Sequence, residues 1–204
     1  MIRTGENWLI HLMKPKFLEP MLATAGQVGD IGRESDWAFE LKWDGIRAIA
    51  VLDGEEVALF TRNGNDVSQT YPDIVSELAA LDLRDTVLDG EIVAFDESGV
   101  PSFGRLQQGT GAATYLTFDV LRSGGRTLLN ASYDERRAAL QSLAIDGDVV
   151  TTPPAFDGSL AEAVQASRDR KLEGVVAKRR DSRYRRGKRS AAWLKLRTSA
   201  CRRS

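Results

Sequence analysis

The chain has 204 residues, 42% of them hydrophobic and 28% charged, which is typical of one well-packed domain or two small ones. Its one cysteine, Cys201, excludes an internal disulfide and a zinc site built on cysteine pairs, and its one histidine, His11, excludes sites built from several histidines. No apolar run is long enough to span a bilayer, so we expect no membrane partner and a reducing, cytoplasmic location.

The net charge of −1 conceals a strong asymmetry along the chain. From Arg168 onwards there are 15 Lys/Arg and three Asp/Glu, whereas the preceding 167 residues carry 13 basic and 26 acidic groups. A basic segment of this kind favours a polyanionic partner, with nucleic acid first. A solvated basic tail would give the same pattern, so charge alone leaves both interpretations open.

The first half of the chain is predicted to alternate short strands and tight turns. Residues 37–64 indicate three strands, with turns at Asp44-Gly45, Asp53-Gly54 and Asn63-Gly64. Pro72 then begins a helix, PDIVSELAAL, whose apolar residues lie at helical spacing. A strand pair is predicted around TVLDGEIVAFD, closed by the turn ESGVP.

The second half adds helices with N-terminal signals and two final strands. SFGRLQQ predicts a short helix, and TYLTFDVL predicts the next strand. Ser132 with Glu135, and Ser159 with Glu162, have the spacing of capping boxes at the start of two further helices. LEGVVAKRR and AAWLKLR predict the last strands, separated by the basic segment from Arg179 to Arg189. Short turns join most neighbouring strands, so we predict mainly antiparallel sheets and the α+β class.

We expect one main domain over residues 17–198. Residues 1–16 have no evident partner in this sequence and are interpreted as a linker or the tail of a preceding module. Residues 199–204 are interpreted as a C-terminal tail.

The usual motifs for phosphate and acyl chemistry are absent: there is no Walker loop, no GxGxxG after a strand, no HExxH and no GxSxG. In ELKWDGIR, strand alternation places Glu40 and Lys42 on one face, and the turn at Asp44-Gly45 lets Arg47 return towards the lysine. A nucleophilic lysine must be neutral, so its pKa has to be lowered by burial or by nearby cations such as Arg47. A surface hairpin would contain the same residue types, so this motif alone does not decide.

Four more motifs follow in order. Glu91 of LDGEIV could hold a ribose hydroxyl or a magnesium ion, and Phe118 of TYLTFD could stack on a purine. EGVVAK places Glu173, a metal-ligand candidate, and Lys178, a phosphate-ligand candidate, at the two ends of an apolar strand. WLKLR places Lys195 on the polar face of an alternating strand. Each has a purely structural explanation, such as a turn, a core phenylalanine or strand-end charges, and only their common order indicates a site.

The ordered set resembles the covalent nucleotidyltransferase superfamily of ATP-dependent DNA ligases, RNA ligases and mRNA capping enzymes. KWDGIR resembles the lysine motif and TRNG the segment after it, while LDGEIV, TFDVL, EGVVAK and WLKLR resemble the remaining four motifs. FLEPMLAT and GVPSFGRLQQ are more similar to bacterial DNA ligases, above all to the ligase part of bacterial end-joining ligase D. NWLIHLMKP is similar to the tail of the phosphoesterase module in some of those proteins. The resemblance implies the adenylation-domain fold, with antiparallel sheets flanked by helices and a nucleotide cleft between the sheets.

The resemblance also implies an enzyme that uses ATP and Mg²⁺ or Mn²⁺. Lys42 would attack the α-phosphate and form lysine-AMP, AMP would pass to a DNA 5′-phosphate, and the 3′-hydroxyl would displace it. The implied nucleotide-binding residues are Glu40, Leu41, Lys42, Arg47, Arg62, Glu91, Phe118, Val176, Lys178 and Lys195. The implied metal ligands are Glu91 and Glu173.

Nicked or broken double-stranded DNA is the implied partner, in DNA repair by end joining on the bacterial nucleoid. The residues expected to contact DNA are Arg183, Arg185, Arg186, Lys188 and Arg189. A Ku-like end-binding protein or a separate OB domain would be further partners. The final motif carries Arg197 where a second lysine is common, and the chain stops soon afterwards with no OB-fold domain. We therefore expect weak self-adenylation and poor nick sealing by this chain alone.

Two other functions fit parts of the pattern. An RNA ligase or a capping guanylyltransferase would share the lysine chemistry, and the choice of RNA or of GTP would distinguish them. A catalytically weak nucleic-acid-binding remnant would explain the basic segment but not the intact lysine motif; a Lys42→Ala variant that kept full activity would favour it.

Overall fold

The structure is a computed structural model that describes residues 16–109 and 111–198. The predicted N-terminal segment up to residue 15 and the predicted tail 199–204 lie outside the described residues. The strands are β1 (Leu22–Ala25), β2 (Trp37–Lys42), β3 (Ile46–Asp53), β4 (Glu56–Thr61), β5 (Thr86–Ala94), β6 (Ala113–Ser123), β7 (Arg126–Thr127), β8 (Val150–Thr151), β9 (Gly174–Arg179) and β10 (Arg189–Arg197). The α-helices are α1 (Pro72–Ala80), α2 (Phe103–Gln108), α3 (Tyr133–Ser142) and α4 (Leu160–Asp169).

The strands form two sheets. A four-stranded sheet has the order β1-β10-β9-β2, and a six-stranded sheet has the order β4-β3-β5-β6-β7 with β8 beside β6. Six of the eight strand pairings in the described chain are antiparallel, which confirms the predicted α+β class with mainly antiparallel sheets. The consecutive strands β2 and β3 lie in different sheets, so the short connection between them passes from one sheet to the other.

Three hydrophobic clusters hold these layers together. Helices α1 and α3 bury Leu78 and Leu140 against the six-stranded sheet, and α4 buries Leu160 against the four-stranded sheet. A third cluster joins the two sheets to each other; its buried members are Met21, Ile49, Val51, Val87, Leu121, Tyr184 and Trp193. Burial of this apolar surface on both sides fixes the cleft between the sheets. Within the described ranges, no helix is long and apolar enough to cross a membrane.

The helices begin where the sequence predicts. Ser132 accepts a hydrogen bond from the backbone of Glu135, and Ser159 accepts one from Glu162, so both predicted capping boxes are confirmed. The helix that begins at Pro72 is confirmed as well. Strands β1, β7 and β8 were not predicted from the sequence. All three have only two to four residues. In addition, β1 and β8 each pair in parallel with a strand far away in the chain, so no local turn indicates these two strands.

The strand predicted over TVLDGEIVAFD is confirmed as the nine-residue β5, and the turn ESGVP follows it, but the second strand of the predicted pair is reduced to a single bridge between Phe95 and Pro101. Asp89-Gly90 is not a turn but a shift in register against β6. The ring of Tyr115 lies over Gly90, where a Cβ atom would be 2.5 Å from the ring and 2.7 Å from the carbonyl oxygen of Leu116. The Tyr115 hydroxyl donates to the carbonyl oxygen of Ala48 at 3.0 Å, so the ring cannot easily move away.

We expect Gly90→Ala to destabilise the fold by roughly 2–4 kcal/mol, because the added methyl group overpacks a site closed by a fixed ring and by backbone. Urea unfolding of the variant measures this loss. Gly104→Ala is the matched control, since nothing lies within 4 Å of a Cβ atom at Gly104 in helix α2. Equal stability of the two variants would contradict the prediction.

Candidate active site

The predicted nucleophile, Lys42, is the last residue of β2, at the point where the chain leaves the four-stranded sheet. After three intervening residues, β3 begins in the six-stranded sheet. This short crossing depends on Gly45, where a Cβ atom would be 2.1 Å from the carbonyl oxygen of Ile92. The close backbone approach therefore holds Lys42 at the mouth of the cleft.

The cleft contains a pocket of about 100 Å³ next to Lys42. Residues of both sheets and of the crossing line it: Ala23, Glu40, Leu41, Lys42, Trp43, Arg47, Glu91, Phe118, Val176, Lys178, Trp193 and Lys195. Nine of the ten residues predicted to bind nucleotide are in this set. The tenth, Arg62, is exposed beyond the end of β4 and touches the site only through its backbone N–H, which donates to the carbonyl oxygen of Arg47 at 3.1 Å.

Lys42 forms a hydrogen-bonded ion pair with Glu173, the residue directly before β9. The other carboxylate oxygen of Glu173 forms an ion pair with Arg197, whose Nε is 3.1 Å away. Partial burial opposes the charge of Glu173, but Lys42, Arg197 and Lys195 together hold its pKa below the usual value. The carboxylate is therefore ionised at neutral pH. Burial and the cations Arg197, Arg189 and Lys42 lower the pKa of Lys195, which marks this end of the pocket as a place with excess positive charge.

A second ion pair lies deeper in the cleft. Nζ of Lys178, a buried residue of β9, is 2.7 Å from Oε2 of Glu40 but is not directed along a hydrogen bond. The hydroxyl of Tyr133 donates to the other oxygen of Glu40 at 2.6 Å. The same ammonium lies 4.4 Å from the ring centre of Phe118 and 4.3 Å from that of Trp193. Burial lowers the pKa of Lys178, although Glu40 opposes the shift.

Arg47, near the start of β3, is held by the most buried carboxylate of the site. Its Nε and Nη2 donate to the two oxygens of Asp89 at 2.5 Å and 2.6 Å, and the Tyr184 hydroxyl donates to Oδ2 of Asp89 at 2.5 Å. The guanidinium carbon lies 4.5 Å from the ring centre of Phe118. Burial opposes the charge of Arg47, but Asp89 more than compensates and raises the pKa of Arg47 above its ordinary value. Arg47 is therefore a fixed cation that faces the pocket.

An adjoining cavity of about 540 Å³ extends the cleft away from Lys42. It shares Glu40, Leu41, Trp43 and Phe118 with the pocket and is otherwise lined by Leu116, Arg137, Thr151, Pro153, Pro154, Ala155, Phe156, Asp157 and Arg170. Its walls are mainly apolar, whereas half of the residues that line the pocket around Lys42 are charged. A molecule with a flat apolar part and an anionic part matches this division.

Glu91, on β5, is the one carboxylate of the pocket without a cation bonded to it among the described residues. Burial is the main reason that its pKa is raised to about 7, and Arg47 and Lys42 only partly oppose this shift. Glu91 and Glu173 are the two residues predicted to bind metal. No group of three or more His, Cys, Asp or Glu residues converges within the described ranges.

The residues predicted to contact DNA lie in and beside the loop between β9 and β10. We define this basic loop as residues 180–188. The side chains of Arg183, Arg185, Arg186 and Lys188 are exposed and form no ion pair with the described part of the chain. Arg189 starts β10 and donates to the carbonyl oxygen of Ala23, a residue that lines the pocket.

Several site residues were not selected from the sequence, because their roles depend on contacts between distant segments. Trp43 and Trp193 line the pocket, and Tyr184 and Tyr133 orient its carboxylates. Tyr184 is buried inside a segment of exposed arginines, which is the one local signal that could have singled it out. Arg137, in helix α3, lines the larger cavity with no sequence pattern that indicates it.

The raised pKa of Glu91 predicts a pH-dependent stability. In the unfolded chain this carboxyl group titrates near 4.3, so stability from its protonated form is complete below that pH and is lost as the pH rises through about 7. We expect Glu91→Gln to match the parent near pH 4 and to exceed it by on the order of 1–2 kcal/mol at pH 8. Urea unfolding across this range, with Glu55→Gln as an exposed control, measures the difference. A difference that shrinks as the pH rises would contradict the assignment.

Comparisons with known proteins agree with the geometry. The model of the ATP dependent DNA ligase domain matches residues 20–197. The multifunctional non-homologous end joining protein LigD of Mycolicibacterium smegmatis is 43% identical over 199 residues, which cover 94% of this chain and 26% of that protein. The crystal structure of the ligase domain from M. tuberculosis LigD superposes with a TM-score of 0.79 at 43% identity, covering 88% of this chain and 60% of that one. The same values hold for a mycobacterial DNA ligase D complexed with ATP and MES.

The chain thus spans about a quarter of the length of this curated relative and somewhat more than half of the crystallised ligase domain. The family match, in contrast, extends over nearly all of the described residues. The chain belongs to the ATP-dependent DNA ligase domain family.

Proposed function

We propose that this chain carries out the adenylation chemistry of an ATP-dependent DNA ligase, with Lys42 as the residue that takes AMP. The observation that carries the proposal is the position of Lys42 at the mouth of a cleft lined by Arg47, Lys178 and Lys195. Phosphoryl transfer needs a positioned nucleophile and compensation of phosphate charge, and these residues provide both.

In the first step, the neutral amine of Lys42 attacks the α-phosphorus of ATP. The Nζ–P bond forms, the α–β phosphoanhydride bond breaks, pyrophosphate leaves, and Nζ loses one proton to solvent. Lys178 and Lys195 offset charge on the α-phosphate, and Arg47 binds the ribose and phosphates. The side chain of Arg62, which is exposed outside the pocket, would have to turn towards the nucleotide to take part. Phe118 and Val176 enclose the adenine, which extends past Glu40 and Leu41 towards the apolar cavity.

In the later steps, an oxygen of a DNA 5′-phosphate attacks the same phosphorus and the Nζ–P bond breaks. The 3′-hydroxyl of the neighbouring strand then displaces AMP and forms the phosphodiester bond. Because Lys42 is released unchanged in the second step, one lysine can serve repeated cycles.

The carboxylates of the pocket fit a divalent cation such as Mg²⁺ or Mn²⁺. Mg²⁺ is commonly held by one or two carboxylates together with phosphate oxygens and water, and Glu91 and Glu173 are two carboxylates at the phosphate end of this site. A cation held there supplies positive charge to the phosphates. Glu173 would have to exchange its contact with Lys42 for that cation, which would leave the amine free.

The basic loop supports a role in gripping DNA. Four of its exposed cations form no ion pair with the described residues and, together with Arg189, are suited to phosphate-backbone contacts, which do not depend on base sequence. The similarity to end-joining proteins of the LigD group supports DNA end joining as the setting. The proposal therefore extends to nicked or broken duplex DNA in the bacterial cytoplasm, with a Ku-like protein or a separate OB domain as partners. Residues 17–198 form its adenylation domain.

The first test is the mass of the denatured protein after incubation with Mg²⁺ and either ATP or GTP. We expect the mass to rise by one AMP with ATP only, and the increase to be lost in Lys42→Arg, which keeps the charge but is not a nucleophile at neutral pH. Lys171→Arg, an exposed lysine after α4, is the matched control and should keep the adduct.

Three results would argue against the proposal. A GMP adduct would favour a capping enzyme, and sealing of nicked RNA instead of nicked DNA would favour an RNA ligase. No adduct, even with a separately added OB domain, would favour a nucleic-acid-binding remnant.

A second test concerns the basic loop. We expect Arg186→Ala to weaken binding to nicked duplex DNA and to reduce the steepness of the log–log salt dependence by about one, because one phosphate contact is lost. Arg33→Ala, an exposed arginine before β2, should leave both values unchanged. Fluorescence anisotropy at several salt concentrations gives the slope. Equal slopes for the parent, Arg186→Ala and Arg33→Ala would show that Arg186 of the loop does not contact the DNA backbone.

A further inference from the structure

One tyrosine connects the basic loop to the pocket. Tyr184 lies in the middle of that loop, between the exposed side chains of Arg183 and Arg185, yet it is itself buried. Its hydroxyl accepts from the backbone N–H of Met21 at 2.9 Å and donates to Oδ2 of Asp89 at 2.5 Å. The loop belongs to the four-stranded sheet and Asp89 to the six-stranded sheet, so this contact bridges the cleft.

The contact continues directly into the pocket. Oδ2 of Asp89 receives both the Tyr184 hydroxyl and Nη2 of Arg47, which is 2.6 Å away. Burial first, and then the charge of Asp89, raise the pKa of Tyr184 well above its ordinary value, so the hydroxyl remains a donor at neutral pH. Rotation of the Asp89 carboxylate would break the Tyr184 contact and the two-nitrogen contact of Arg47 together. The phenol therefore restricts the orientation of Arg47 through Asp89.

The loop around Tyr184 is fixed on both sides. The backbone N–H of Tyr184 donates to the carbonyl oxygen of Leu129 at 3.0 Å, and that of Gly187 donates to the carbonyl oxygen of Glu19 at 3.0 Å. Nη1 of the buried Arg136 donates to the carbonyl oxygen of Ser182 at 3.0 Å. The Tyr184 ring packs at 82° against Trp193, which lines the pocket. The exposed arginines thus extend from a segment whose centre is tied to the pocket.

We propose that Tyr184 is a positioning residue that acts through Asp89 to hold Arg47 in the orientation needed for phosphoryl transfer, and that it ties this orientation to the basic loop. The inference rests on the proposed function, because it assigns Arg47 to the phosphates of the nucleotide. Tyr184 itself touches no reacting atom. A DNA backbone seated on the loop and the Arg47 guanidinium are then held in a constant spatial relation, linked by a single hydroxyl group.

The test is a double-mutant cycle on the full chain, with Tyr184→Phe and Arg47→Lys. Tyr184→Phe removes only the hydroxyl and keeps the ring against Trp193. Lysine at position 47 keeps the charge but cannot form the two-nitrogen contact with Asp89, so Tyr184 would have no orientation left to control. The rate of Lys42-AMP formation at saturating ATP is measured by denatured mass, and the ATP dissociation constant is measured in a Lys42→Met background, where no chemistry occurs.

We expect Tyr184→Phe to slow adenylation about tenfold when Arg47 is present and less than about twofold in the Arg47→Lys protein, since small misplacements of a catalytic group have effects of this size and coupled residues are non-additive. Tyr184→Phe should likewise raise the ATP dissociation constant when Arg47 is present and change it little in the Arg47→Lys protein. Tyr71→Phe is the control, since its hydroxyl makes no hydrogen bond within the described ranges and its rate should be unchanged.

The outcomes separate this inference from the proposed function. The same slowing in both backgrounds, or none in either, would overturn the inference and leave lysine adenylation intact. If the parent forms no adduct, the proposed function fails and the ATP dissociation constants decide the inference alone. Weaker ATP binding by Tyr184→Phe that depends on the presence of Arg47 would then support the inference. A change in ATP affinity that does not depend on Arg47, or no measurable ATP binding, would overturn it.

Discussion

The buried carboxylate of Asp89 is the constraint on which the geometry of the cleft depends. An ionised group with no exposure to water is costly unless its oxygens are matched by donors, and breaking such a match leaves an uncompensated charge. The donors come from opposite sides: Arg47 from the six-stranded sheet and Tyr184 from the loop of the four-stranded sheet. Satisfying one carboxylate therefore fixes a cation in the pocket and the separation of the two sheets at once.

The charges around Lys42 are arranged so that a polyphosphate can replace carboxylates. Lys42 is paired with Glu173 and Lys178 with Glu40, while Lys195 has no ion pair among the described residues. Each pairing holds a long side chain in position before a ligand arrives, which reduces the reorganisation needed when phosphate oxygens take over. Lys195, whose pKa is lowered by burial and by its cationic neighbours, gains most from an incoming anion. Lys42 and Lys178 are therefore held in place by ion pairs before any phosphate binds.

The sequence predicted the chemistry of the site better than the contacts that support it. Local signals located the capped helices and most of the longer strands, and the order of the five motifs pointed to nine residues that line one pocket. No local signal showed why residue 90 is a glycine, because the reason is the Tyr115 ring, which lies 25 residues away in the chain. Tyr184 and Trp193 were missed for the same reason, since a hydrogen bond over 95 residues leaves no periodic pattern.

Two kinds of positive charge in the chain argue for two tasks that meet at Tyr184. The cations of the pocket are partly or wholly buried and mostly paired, as a site for one bound nucleotide requires. Apart from Arg180, which pairs with Asp134, the cations of the basic loop are exposed and unpaired within the described residues, which suits a long anion held by many weak contacts. A protein that only bound nucleic acid would need the second kind and would have no use for a buried lysine among three aromatic rings. Because Tyr184 belongs to the loop by sequence and to the pocket by its hydrogen bond, the proposed DNA-binding loop and the proposed nucleotide pocket are joined by one connected set of contacts.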